Sequence, residues 1–96
     1  MDKVEIEINP LLDWEEQKNT KILEFLIKKE GIWIFHKYDK DPFPSTPHGH
    51  NKETGEKLDV YTGIKYDKHG NISGKLGRKK LIEIQDKLRS AEFNLK

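Results

Sequence analysis

Residues able to do chemistry are concentrated between Phe35 and Tyr66, a stretch that holds three of the four histidines and all three tyrosines. Its sharpest feature is Pro44-Ser45-Thr46-Pro47-His48-Gly49-His50. The prolines stiffen the backbone, and in an extended segment His48 and His50 point to the same side because side chains alternate with a period of two. Two imidazoles so placed could serve as general acid and base near neutral pH, where histidine titrates. They could equally give two nitrogens to a metal such as zinc, with a third ligand drawn from His36, Asp59 or His69. The spacing also fits two polar loop residues with no chemical role, and a bare His-x-His does not choose among these readings.

A second group is His36, Asp59, Tyr61 and Tyr66, with Lys37 and Lys65. A histidine oriented by a carboxylate, next to a lysine that stabilises charge on phosphorus, is the equipment of a ribonuclease in which the RNA 2′-hydroxyl attacks its own phosphate. Read without function, a tyrosine on a strand packs and a lysine faces water. A third group, Lys75, Arg78, Lys79 and Lys80, surrounds Gly77 at the start of a helix, a place where a nucleic-acid backbone could bind. The run is not a phosphate-binding P-loop, because the required spacing is absent. An H-N-H nuclease fits poorly, since the helix from Arg78 onward has no second histidine.

These residues need elements to hold them. Val4, Ile6 and Ile8 alternate with Glu5 and Glu7, which predicts a strand. Asn9-Pro10 is a helix start, Lys28, Lys29 and Gly31 a helix end, so 10–30 reads as one helix or two meeting near Asn19-Thr20. Its buried stripe would be Leu11, Trp14, Ile22, Phe25 and Leu26. Residues 32–38 form a central strand, 39–57 a proline-rich loop or edge ribbon, 58–66 a third strand region that Thr62-Gly63 could split into a hairpin, and 72–76 a short return strand. Residues 78–94 make a closing helix, with Leu81, Ile84, Leu88 and Ala91 at helical spacing. No internal repeat is apparent. The expected fold is a single α+β domain over 1–96: a two-layer sandwich with a small antiparallel sheet of 3–4 strands, helices on one face, and the order β-α(α)-β-β-β-α.

Composition bounds the function. With 18 Lys+Arg against 17 Asp+Glu the net charge is +1, so only a local patch could attract nucleic acid. There is no cysteine, hence no disulfide or thiolate zinc site, which fits a reducing cytoplasm. No apolar run reaches membrane-spanning length, and Met1 to Pro10 lacks the apolar core of a secretory signal. The expected location is cytoplasmic, without membrane association.

Tyr38-Asp39, Pro44 and Pro47-His48-Gly49-His50 together resemble the small RelE-like toxins, in particular the TumE-type branch of the barnase, colicin and RelE ribonuclease group. The resemblance covers about residues 33–50 and the general order of elements; the Asp-Asn-Ala-Pro-His-His run of that branch is replaced here by Asp39-Lys40-Asp41-Pro42-Phe43. It implies helices on a small antiparallel sheet and a metal-independent endoribonuclease activity, carried over only to His48 and His50.

The leading expectation is therefore a small RNA-directed ribonuclease or toxin-like protein, needing no cofactor. His48 and His50 would be its acid and base, with His36, Asp59 and Tyr61 as further site residues and Lys75, Arg78, Lys79 and Lys80 as backbone contacts. The rival is a non-enzymatic binding module, an antitoxin-like, immunity or phage-encoded inhibitor that covers a cognate protein, with Trp14, Trp33 or Phe43 as anchors. A histidine-based metal site is the third.

Overall fold

The computed structural model describes residues 3–9, 12–15, 31–37 and 47–95. Among these, six strands form one antiparallel sheet: β1 (Lys3–Glu7), β2 (Ile32–His36), β3 (His48–His50), β4 (Lys57–Asp59), β5 (Ile64–Tyr66) and β6 (Ile72–Lys75). They lie side by side in chain order, each paired with the next. One helix, α1 (Arg78–Ser90), follows β6. This corrects the expected 3–4-stranded sheet with helices interleaved as β-α(α)-β-β-β-α. The described chain is mostly sheet, a six-stranded meander with one helix at its end.

Three local effects account for the difference. The segment His48–His50, expected in a loop or edge ribbon, is an interior strand, paired with β2 on one side and β4 on the other. The region 58–66 takes the hairpin alternative, split by a turn at 59–63 that ends in Thr62-Gly63, so that Leu58 lies opposite Lys65 and two strands replace one. The residues 12–15, expected to be helical, are a turn and a single antiparallel bridge from Trp14 to Leu76. The Asn9 carbonyl accepts the Asp13 N–H at 2.9 Å, which makes one helical turn that does not continue. Glu15 then donates its N–H to the Lys75 carbonyl, and Gly77 donates to that of Asp13. The remaining residues assigned to the 10–30 helix, and Tyr38 to Thr46, lie outside the described residues.

The three hairpins of β3–β6 share one construction. Asn51, Asp59 and Asp67 are eight residues apart. Each side-chain oxygen accepts two backbone N–H groups just ahead of it: from Glu53 and Thr54, from Tyr61 and Thr62, and from His69 and Asn71. Each carbonyl accepts the N–H of a glycine, Gly55, Gly63 or Gly70, and all three glycines have positive φ. The short Asx side chain thus replaces a backbone partner, and glycine takes the left-handed position at little steric cost. Asn51 to Gly55 and Asp59 to Gly63 both end in Thr-Gly. Two positions identical out of five is a weak cadence, which is why no repeat is apparent from residue types alone.

Alternation and register divide the sheet into two faces. Ile6, Trp33, Phe35 and Leu58 share one face and pack in a single core with Trp14, Val60, Leu76, Phe93 and the α1 residues Ile84 and Leu88. Each of the buried Phe35, Leu58, Ile84 and Leu88 side chains contributes roughly 1.5–3 kcal/mol relative to exposure. Trp14 and Trp33 are 6% and 2% exposed, which removes them as interface anchors; Phe43 is outside the described residues. Lys65 also points to the core side. Its ammonium sits 4.5 Å over the Trp14 ring and 3.3 Å from the Glu56 carboxylate.

The ends of α1 are built differently. Gly77 caps the start without a side-chain bond, and no acidic residue lies in the first turn. At the other end Glu92 takes φ 66°, Phe93 donates to the Leu88 carbonyl and Glu92 to that of Arg89. That is a Schellman closure, with the buried Phe93 as its apolar contact. Gln85 ties the helix to the sheet by donating its side-chain N–H to the Val60 carbonyl at 2.8 Å.

Candidate functional site

The face of the sheet opposite α1 carries His36, His48 and His50. Ile34 and His36 alternate with the core residues Trp33 and Phe35, and therefore point away from the core. Ile34 lies opposite His50 and Phe35 opposite Gly49, so the next step along the two strands sets His36 against His48. The rings of His48 and His50 are 4.8 Å apart between centroids, and those of His36 and His50 are 6.1 Å apart, both in edge-on geometry. One exposed imidazole (His36), one half-buried (His50) and one buried (His48, 5% exposed) thus form a contiguous set. The Nε2 atom of His48 is shielded from solvent.

Gly49 is what lets this arrangement form. A Cβ at that position would stand 2.6 Å from Cζ and 2.8 Å from Cδ2 of Phe35. The aromatic ring of β2 lies against the bare backbone of β3 on the core side, while the two flanking imidazoles project from the other side.

The rows continue across β4 and β5. Asp59 lies opposite His48, and Lys57 opposite His50. Tyr66 in turn lies opposite Lys57. Directly opposed Cβ atoms in an antiparallel pair are about 4.5–5.5 Å apart, so these side chains are neighbours of the imidazoles. Asp59 is buried, and its Oδ1 accepts the N–H groups of Tyr61 at 2.8 Å and Thr62 at 3.3 Å. Its first task is to hold the 59–63 turn. Tyr61, half-buried, belongs to that turn and not to the rows.

Of the residues singled out in the sequence, the structure brings together His36, His48, His50 and Asp59. It places Tyr61 in the 59–63 turn and Lys65 on the core side. The four basic residues are elsewhere. Lys75 on β6 is on the same row as His48 but three strands away, about 14 Å at ~4.8 Å per strand. Arg78 and Lys79 are exposed at the start of α1. Lys80 is held by Asp13 at 3.8 Å and Glu83 at 3.5 Å. Lys57 is the neighbour that sequence reasoning missed. The signal for it was the eight-residue spacing of the Asx turns, which fixes the strand register.

Among the described residues no group of three His, Cys, Asp or Glu side chains is placed to hold a metal ion. Two carboxylates are held below their ordinary range. Asp67 is lowered chiefly by the Asn71 N–H, and Glu83 chiefly by the charge of Lys80. No helix among the described residues is long and apolar enough to cross a membrane.

With this geometry in view, the chain can be set beside known proteins. No family model, curated protein or solved structure matches it.

Proposed function

We propose that the histidine face is an acid–base site for RNA transesterification, which would make the protein a small metal-independent endoribonuclease of the toxin-like kind. The observation that carries the proposal is the grouping of His36, His48 and His50 on one sheet face with ring separations of 4.8 and 6.1 Å. Two imidazoles that far apart can address the two oxygens on either side of one phosphorus. The exposures support a division of roles. His36 and His50 reach solvent and would be the catalytic pair, while buried His48 would be a positioning residue for His50. One of the pair takes the proton of the 2′-hydroxyl as its oxygen bonds to phosphorus. The other gives a proton to the departing 5′-oxygen, leaving a 2′,3′-cyclic phosphate and a free 5′-hydroxyl. Lys57 stands beside His50, where its charge would stabilise the crowded phosphorus. The likeness of residues 33–50 to RelE-type toxins supports the same class, and location in the cytoplasm follows from that class.

The test is tightly induced expression in a bacterial host, comparing wild type with His36→Ala/His50→Ala and following growth, total RNA and the chemistry of RNA ends. Growth arrest with cyclic-phosphate ends, abolished in the variant, is the expected result. Intact RNA under wild-type induction, or unchanged cleavage in the double variant, ends the proposal.

A second reading has its own observation. Leu12, Ile72 and Ile82 are exposed, Ile72 to 69%, and such residues are what a protein-covering module offers a cognate partner. Under that reading a purified partner complex forms, survives His36→Ala/His50→Ala, and is lost on Ile72→Asp.

A further inference from the structure

One cleft outside the histidine group has the chemistry of an anion site. It has a volume of about 370 Å³ and is lined by Lys57, Asp67, Lys68, His69 and Gly70. The 67–70 turn and Lys57 of β4 line it. The Gly55 Cβ position lies 3.1 Å from Cβ of Lys68, so the 51–55 and 67–70 turns abut. Two lysines and a histidine line the cleft together with one aspartate. That carboxylate is committed, because Asp67 Oδ1 accepts the N–H groups of His69 at 2.8 Å and Asn71 at 2.9 Å. The nearby Glu56 is drawn to Lys65 and to the Ser73 hydroxyl, 3.1 Å away. The local balance is positive in a chain whose overall charge is +1.

The position of the cleft matters as much as its charge. Lys57 is one strand from His50, about 5 Å, and is one of the residues that line the cleft. The half-buried Tyr66 follows Lys57 in the same row and immediately precedes Asp67. An extended polyanion leaving His50 along this row meets Lys57, an aromatic ring, and then Lys68 with His69. A cationic groove with an aromatic residue in it is how single-stranded nucleic acid is held without regard to sequence.

We infer that the Lys57–Lys68–His69 cleft binds a backbone phosphate of single-stranded RNA next to the one at the histidines. The inference rests on the RNA reading of that face. It moves the principal backbone contact away from Arg78 and Lys79. The phosphate contact is electrostatic, so it sets affinity and salt dependence and carries no sequence choice.

The experiment uses the full chain and a fluorescent single-stranded oligodeoxynucleotide of about eight thymidines, which lacks the 2′-hydroxyl and cannot be cleaved by transesterification. Binding by anisotropy is compared for wild type, Lys68→Ala/His69→Ala and Arg78→Ala/Lys79→Ala, all exposed positions. Removal of the cleft pair is expected to weaken binding about five- to tenfold and to lower the salt slope by about 1, with little change in the helix pair. Backbone amide NMR with inorganic phosphate should shift Lys57 and Lys68 to Gly70 in the same concentration range. No binding by wild type, equal affinity in the cleft variant, or loss only in the helix variant overturns the inference. So does an acidic peptide of equal charge that competes as well as the oligonucleotide, since it would make the cleft a protein contact. The two readings fail separately. RNA cleavage with binding that ignores Lys68 and His69 removes the subsite alone, and cleft-dependent binding without cleavage removes the catalysis alone.

Discussion

Replacing Gly49 with alanine tests the link between the core and the histidine face. The new methyl group would meet the Phe35 ring at 2.6 and 2.8 Å, where ordinary carbon contacts begin at 3.4 Å. Relief requires a movement of nearly 1 Å. Phe35 is 1% exposed and is enclosed by the core, so its ring has little room to turn aside. The β3 backbone is paired on both sides and cannot withdraw without breaking ladder bonds. Overpacking of this kind costs about 1–3 kcal/mol, offset by about 0.4–1 kcal/mol from the reduced freedom of the unfolded chain. Because the Phe35 ring and the β3 backbone are both confined, the cost falls in the upper part of its range, and a net loss of about 1–2 kcal/mol is expected, a fall in Tm of about 4–16 °C at this chain length. The assay is thermal and urea unfolding of Gly49→Ala, Phe35→Leu and the double variant. Phe35→Leu alone costs on the order of 1 kcal/mol, but in the double variant the smaller side chain makes room for the methyl. The double variant should therefore be at least ~1 kcal/mol more stable than the sum of the single losses predicts. A neutral or stabilising Gly49→Ala, or strict additivity in the cycle, would refute the reasoning.

Two further predictions concern turns and caps. Glu92→Gly should stabilise the protein by about 1 kcal/mol in urea unfolding, because glycine carries no steric penalty in the left-handed position that Glu92 occupies. Asp67 has a folded-state pKa below its ordinary 3.8, lowered first by the Asn71 N–H. Its ionised form therefore contributes stability above about pH 4, which is lost as pH falls through the lowered value. Asp67→Asn keeps an acceptor oxygen but has no proton to gain, so its urea midpoint should fall less than that of wild type between pH 5 and 2; parallel curves would remove Asp67 from the acid transition.

The parts legible in the sequence are those whose buried faces have a clean period. Val4, Ile6 and Ile8 announce β1, and Leu81, Ile84 and Leu88 announce α1. β3 was hidden for the opposite reason. His48, Gly49 and His50 have no apolar side chain, and a proline-rich stretch precedes them. What makes them a strand is pairing on both edges, which no local pattern reports. Trp14 misled similarly: Asn9-Pro10 is a good helix start, but the tertiary bridge to Leu76 overrides local propensity. In the site, the same-side placement of His48 and His50 could be read from alternation. The approach of His36, and the neighbourhood of Lys57, depend on register and so on hairpin lengths. The burial of His48 and the capture of Asp59 by its own turn could not be read, because both are properties of the assembled sheet.

The even spacing of Asn51, Asp59 and Asp67 has a consequence for how this chain can change length. One unit of eight residues is one strand and one turn, and it reverses the direction of the chain. It also reverses the face: Leu58 points into the core, while Tyr66, eight residues later, lies on the histidine side. Loss or gain of a single unit would send α1 off the opposite end of the sheet and turn its incoming strand inside out. Loss or gain of two would restore both direction and face. Insertions and deletions in this half of the protein should therefore survive in pairs of units or within the turns, and a descendant of this fold should carry four or eight strands more readily than five or seven.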